Sequence, residues 1–176
     1  MGNSMNITNT SDTTIRVLVA PDPEWKISDI FVGANSFTVG KYQEIHTLKD
    51  LWTVWNNIIG LKDFENNYDI VSQVKSLFDK YGIQVGPGKM CKMYDSEVLN
   101  VVDDIKPEAW SAMKDTLEVA VAVFVDDCNG NSKLVYYESA SNLSWKVYNK
   151  YITRIIHGTM WEDGTNYHDF KKMIQK

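Results

Sequence analysis

The run Leu117-Glu-Val-Ala-Val-Ala-Val-Phe-Val125 constrains the fold more than any other segment. Valine repeated through such a run, with a phenylalanine near its end, suits the packed, pleated setting of a β-strand. The segment Asp126-Asp-Cys-Asn-Gly-Asn131 follows, and then a second β-rich run, Lys133-Leu-Val-Tyr-Tyr-Glu138. Asn129-Gly130 supplies the positive φ angles that a tight hairpin turn needs. The two runs therefore predict a long β-hairpin, which commits the chain to an antiparallel sheet.

The remaining β signals are shorter. Ile15, Val17 and Val19 alternate with Arg16 and Leu18 in a strand stopped by Pro21-Asp-Pro23. Ile83-Gln-Val85 and Met90-Cys-Lys-Met-Tyr94 flank the bend Gly86-Pro-Gly88, and Trp145 to Tyr148 and Tyr151 to Ile156 suggest a further strand pair. Between these lies helical periodicity. Thr47 and Asp50 form a near capping box ahead of Leu48, Leu51, Trp52, Trp55, Ile58 and Ile59, with Gly60 as the stop. Residues Asn67 to Tyr81 repeat the design with Ile70, Val71, Val74, Leu77, Phe78 and Tyr81 on one face and Gly82 at the end. Pro107 opens a short helix carrying Ala109, Trp110 and Met113. Strand runs interrupted by one helical pair predict an α+β fold: an antiparallel β-sandwich or bent sheet with a central two-helix hairpin packed against it. Residues 1–13 read as a flexible polar N-terminus and residues 14–176 as a single globular domain. Residues 168–176 read as a basic tail or a short helix.

Composition narrows the function classes. With 44% hydrophobic and 23% charged residues the chain can bury a core, and whole-chain disorder is excluded. No apolar run reaches the length of a spanning helix, and no secretion signal is visible, so the expected location is cytoplasmic, with peripheral membrane association as the alternative. Met1-Gly2 followed by small polar residues partly fits an acylation signal at Gly2, but Asn6 stands where Ser or Thr is wanted. The net charge of -5, with Arg16 and Arg154 the only arginines, argues against a nucleic-acid partner. Cys91 and Cys128 suit two free thiols. Asn6, Asn9 and Asn142 begin glycosylation sequons by spelling, to which no meaning attaches without a secretion signal.

Catalytic and metal chemistry finds little footing. His46, His157 and His168 share no ligand spacing, and Glu162, Asp163, His168 and Asp169 are the one local donor cluster, in a segment whose Asp-Gly pair reads as a solvated turn. The hairpin tip cannot be a calcium loop, because aligning Gly130 with the glycine of such a loop puts Val125 at the first ligand position. There is no nucleophile elbow, Cys128 sits beside Asp126 and Asp127, and Gly86-Pro-Gly-Lys89 lacks phosphate-loop spacing. The carboxylate pairs Asp103-Asp104 and Glu162-Asp163 alternate across a strand instead of converging. No metal or cofactor is expected, and an enzyme is unsupported.

Aromatics carry the functional expectation. Trp52, Trp55 and Trp110 fall on apolar helix faces, whereas Trp25, Trp145 and Trp161 lie beside turns, where an indole can stack on a sugar or sit at a lipid headgroup. Tyr136, Tyr137, Trp145, Tyr148 and Tyr151 make the densest aromatic stretch and the first choice of contact surface. The Gly-Pro-Gly-Lys bend leading to Tyr94, the hairpin with its Asn-Gly tip, and Ser139-Ala-Ser-Asn-Leu-Ser-Trp145 resemble the core of actinoporin-like β-sandwich proteins, the sea-anemone cytolysins and related lectin-like folds. That resemblance spans about residues 83–150 and implies a phosphocholine-binding aromatic patch, which here corresponds to Tyr136, Tyr137, Trp145 and Tyr148. The chain departs from the family in being acidic and in carrying its helices in the middle. The expected function is a binding module for a glycan or lipid headgroup, membrane-associated or cytolysin-like. The alternatives are an interaction or structural protein acting as a homo-oligomer, and a hydrolase without a readable motif.

Overall fold

The computed structural model describes residues 4–33, 37–39, 43–59, 68–95, 105–115, 118–126, 132–140, 143–149, 151–156 and 168–169. The chain runs β1 (Ser4–Asn9), β2 (Ile15–Ala20), α1 (Ile27–Ile30), β3 (Phe37–Val39), β4 (Gln43–Ile45), α2 (Leu48–Ile59) and α3 (Tyr68–Tyr81). It continues through β5 (Ile83–Val85), β6 (Met90–Asp95), α4 (Pro107–Asp115), β7 (Glu118–Asp126), β8 (Ser132–Ala140), β9 (Leu143–Val147), β10 (Tyr151–Ile156) and β11 (His168–Asp169). The fold is α+β, as the order of strand and helix signals predicts.

A four-stranded sheet in the order β5-β2-β7-β8 forms the centre. The expected hairpin is its backbone: β7 and β8 pair antiparallel from Glu118↔Ala140 to Asp126↔Ser132. Every residue from Val119 to Val125 is buried, so both faces of β7 are covered. On one face, Phe124 meets Trp55 of α2 edge-on at 5.9 Å and Phe78 of α3 at 5.5 Å between ring centroids. The two helices thus lie side by side over this face, α2 against β7 and β8 and α3 against β2 and β5. Arg16, in register with Phe124, reaches from the same face to Asp79 of α3. On the other face Val119, Val121 and Val123 join Ile7, Trp145, Val147 and Ile152 of a second sheet in one continuous core.

That second sheet has the order β11-β10-β9-β1-β6. Its pairs are antiparallel except β1 with β9, which run parallel with Ile7 opposite Trp145. The expectation of a flexible start over residues 1–13 is corrected here: β1 lies inside this sheet, with Ile7 and Asn9 both fully buried. Its polar residues hid the strand. Asn9 and Ser11 are inside because hydrogen bonds hold them. The Asn9 side-chain amide donates to the carbonyls of Thr13 (2.7 Å) and Val85 (2.8 Å), and its oxygen accepts from the Ser11 backbone N–H (2.9 Å) and hydroxyl. The Asn9 backbone binds Lys89 and Gly88 in the bend between β5 and β6, and Thr10 donates to Val147 at the end of β9. Asn9 thus ties the connection between β1 and β2 to the corner between β5 and β6, where the two sheets come together. Of the three sequons, Asn9 is closed by folding, Asn6 is half-buried on β1, and Asn142 lies outside the described residues.

Two local readings are met in detail. Thr47 and Asp50 cap α2 reciprocally: the Asp50 N–H donates to the Thr47 hydroxyl (3.0 Å) and the Thr47 N–H to the Asp50 carboxylate (3.2 Å). In the bend, Lys89 N–H closes on Gly86 carbonyl at 3.1 Å and Gly88 takes φ 74°, the positive angle a type II turn requires after proline.

Candidate functional site

A concavity lies where β2 leaves its sheet. Pro21 ends the strand, and the Asp22 carboxylate accepts a hydrogen bond from the Glu24 N–H (2.7 Å), folding the segment into a tight turn that presents Trp25. The short α1 follows and is fixed from beneath by Ile27 and Ile30, 2% and 0% exposed. The beginning of α4 is tied to it. Ile105 bridges Phe31, the Lys106 N–H donates to the Ile30 carbonyl (2.7 Å), and the Lys106 ammonium donates to the Ser28 carbonyl. Between these walls runs an open cleft of about 720 Å³ lined by Asp22, Glu24, Trp25, Asp29, Lys106 and Glu108.

Its chemistry is lopsided. Trp25 packs partly on the core and partly lines the cleft, giving an apolar face with a polar edge. Asp22, Glu24, Asp29 and Glu108 surround it, and among the described residues none of these carboxylates forms an ion pair. Glu108 sits in the first turn of α4, where the helix dipole favours its charge. Among the described residues Lys106 is the one cation of the lining, and its ammonium already serves a carbonyl. No group of three or more His, Cys, Asp or Glu side chains among the described residues is arranged to hold a metal ion.

The expected aromatic surface is largely corrected. Trp145 is 1% exposed and Tyr136 5%, so neither offers a face to a ligand. Trp145 stands opposite Ile7 in the core-facing row of its sheet, where alternation along β9 turns it inward. Tyr136 lies under α2, its ring 6.1 Å from that of Trp52, with its hydroxyl donating to Glu138 at 3.3 Å. Burial, followed by the Glu138 carboxylate and more weakly Asp22, raises the Tyr136 phenol pKa well above its ordinary value. Tyr148 follows the end of β9, half-buried, with the Lys146 ammonium 5.5 Å from its ring centre, whereas Tyr136 lies on β8 of the other sheet. Trp161 and the side chains of Tyr137 and Tyr151 lie outside the described residues, as do Glu162 and Asp163. His168 and Asp169 are described as the backbone of β11 alone, where a basic tail or helix was expected. Of the four aromatic candidates whose side chains are described, Trp25 lines the cleft and the other three do not. Trp55 and Trp110 are core, as their helical faces predict.

Elsewhere the chemistry is quiet. His46 is more than half exposed at 3.7 Å from Glu44. Cys91 is a free, half-buried thiol whose pKa is raised by burial, the opposite of activation. Cys128 and Gly2 lie outside the described residues, and no described helix is long and apolar enough to cross a membrane.

Asp22, Glu24, Asp29, Lys106 and Glu108 were not expected as site residues. Asp22 and Glu24 flank prolines that read as a strand stop, and that acidic turn ahead of a tryptophan was the available signal. Lys106 and Glu108 arrive from a distant helix, and no local pattern announces them. Comparison with protein-family models, curated proteins and solved structures finds no match for the chain.

Proposed function

We propose that the protein is a binding module that holds a glycan in the cleft beside Trp25. The observation carrying this reading is the combination of one half-buried indole with four carboxylates that form no ion pair among the described residues, around a volume of about 720 Å³, within the range of small-ligand sites. A sugar ring matches both halves of that lining. Its C–H face packs on an indole, and its hydroxyls donate to acceptor-only carboxylates in charge-assisted hydrogen bonds. An anionic lipid headgroup meets the same carboxylates as like charges, so the glycan is favoured over an anionic lipid.

Glycan-array screening followed by calorimetry on the parent, Trp25→Ala and Trp145→Ala tests it. Trp25→Ala is expected to weaken binding by the folded protein at least about tenfold, with a smaller loss of stability than a fully buried tryptophan gives, because Trp25 packs only partly on the core. Trp145→Ala is expected to cost about 3–5 kcal/mol of stability, as loss of a core aromatic does, with no specific effect on binding by the folded fraction. Absence of any glycan ligand, or binding indifferent to Trp25, sinks the proposal. Release of new reducing ends from a bound oligosaccharide would instead assign two of the carboxylates to acid–base hydrolysis.

A further inference from the structure

Apolar burial does not by itself choose the place of β1 in its sheet. A slide of one residue along β9 would turn Ile7 out of the core, and burial forbids it. A slide of two residues keeps every side chain on its own face and remakes the backbone ladder. Moved in this way, β1 would set Met5 opposite Trp145, Asn6 opposite Lys146 and Ile7 opposite Val147, where Ile7, Thr8 and Asn9 now stand. On the other side it would set Ser4, Met5 and Asn6 against Lys92, Cys91 and Met90, a stretch without a register shift. By apolar burial alone that alignment is the better one, because Val147 is fully buried and would face isoleucine in place of asparagine. The connection to β2 would lengthen, at a small entropic cost. The slot beside Val147 opposes the exchange because it is polar. The Asn9 amide donates there to the Val85 carbonyl (2.8 Å), and its oxygen accepts from the Ser11 N–H (2.9 Å). The backbone bonds of Asn9 to Lys89 and Gly88 are open to any residue but proline, so they do not discriminate.

We infer that Asn9 is a register pin, a buried polar side chain that holds β1 in one of two alignments the core would accept and so sets the length of the connection between the sheets. Isoleucine in its slot would leave the Val85 carbonyl without its donor, and a buried group left unsatisfied costs about 1–3 kcal/mol. Ser11 completes the pin, its hydroxyl joining the Asn9 oxygen to the Thr13 carbonyl (3.0 Å). A buried asparagine fixes the alignment of coiled-coil helices in the same way, at some expense of stability.

Disulfide trapping in the full chain reads the alignment directly, in a Cys91→Ser, Cys128→Ser background with oxidised glutathione as the oxidant. Thr8→Cys with Lys146→Cys reports the observed register and Asn6→Cys with Lys146→Cys the slid one, each pair being adjacent in its own alignment alone. With Asn9 present, only the first pair is expected to close. Asn9→Ala is expected to raise closure of the second pair at least about tenfold. Asn9→Asp, which keeps the shape and loses both donated bonds, is expected to raise it as well. The decisive variant moves the pin. Ile7→Asn with Asn9→Ser sets the Asn-x-Ser pair one strand repeat earlier, and the second pair is then expected to close in preference to the first. Circular dichroism checks that each chain is folded. A second pair that stays open in Asn9→Ala and in the moved-pin chain overturns the inference and leaves Asn9 a source of stability alone. Failure of every variant to fold also overturns it, since a pin chooses between folded alignments.

Discussion

Single residues decide more in this protein than their type suggests. Asn9 is polar, spells a sequon, and is wholly buried, because all its side-chain hydrogen-bonding capacity is directed at fixed partners. Asn9→Ala would take the amide donor from the Val85 carbonyl and the acceptor from the Ser11 N–H and hydroxyl, while the Thr13 carbonyl keeps the Ser11 hydroxyl at 3.0 Å, and each buried group left unsatisfied costs about 1–3 kcal/mol. A loss of roughly 3 kcal/mol or more in urea denaturation is expected; a change within about 0.5 kcal/mol, ordinary for a surface site, refutes the knot. Tyr136 gives a pH signature. Its native phenol keeps its proton at pH values where an unfolded phenol, with a pKa of about 10, has lost it. Above that pH the unfolded chain binds fewer protons than the native one, so the stabilisation is complete below the unfolded pKa and declines as pH rises beyond it. Tyr136→Phe is expected to flatten this alkaline decline, seen by comparing thermal midpoints of parent and variant from neutral to strongly alkaline pH. An unchanged slope contradicts the assignment.

At the level of elements, the capped helix and the bend show what local chemistry dictates. Both members of the Thr47–Asp50 box are made, so Thr47→Ala is expected to lower stability by about 1 kcal/mol, and Asp50→Ala by a similar amount. The double variant should fall short of the sum, since each bond stiffens the turn the other needs. Full additivity in a denaturation cycle would show the two to be independent. Gly82 is demanded by contact: a Cβ there would lie 2.5 Å from the Phe78 carbonyl oxygen, so alanine must unseat the end of α3. These features were legible because their causes lie within a few residues of each other. The long hairpin, α2, α3, α4 and the pair β9–β10 were legible for the same reason. What the sequence concealed was non-local. β1 is polar by composition and is held by partners beyond residue 80, while Trp145 sits beside turn-like residues yet belongs to a strand whose inward row is set by Ile7, far away in the chain. The cleft is likewise composed from two segments about eighty residues apart, so Trp25 was readable and its surroundings were not.

For the whole molecule, the position of β1 determines how the two sheets hold together. It lies between β9, its parallel neighbour, and β6, its antiparallel one, so its removal divides the five-stranded sheet. The fragments would expose two unpaired edges, the arrangement that drives strands of separate molecules to pair. Deletion would also remove Ile7 from the shared core and the Asn9 knot from the corner where the sheets meet. A free polar tail, by contrast, could be cut away at almost no cost. The two pictures therefore give opposite expectations for a chain lacking residues 1–13. The structure predicts loss of cooperative urea unfolding and association in gel filtration, while a chain lacking only residues 1–3, which precede β1, should elute and unfold as the parent does. A truncated chain that stays monomeric with an unshifted midpoint would place the stability of the fold elsewhere, in the helix-covered sheet alone. Addition of a synthetic peptide of residues 4–13 to the truncated chain separates a missing strand from general damage. Recovery of monomeric elution and a cooperative transition is expected, because the peptide carries both the ladder hydrogen bonds and the asparagine that locks them.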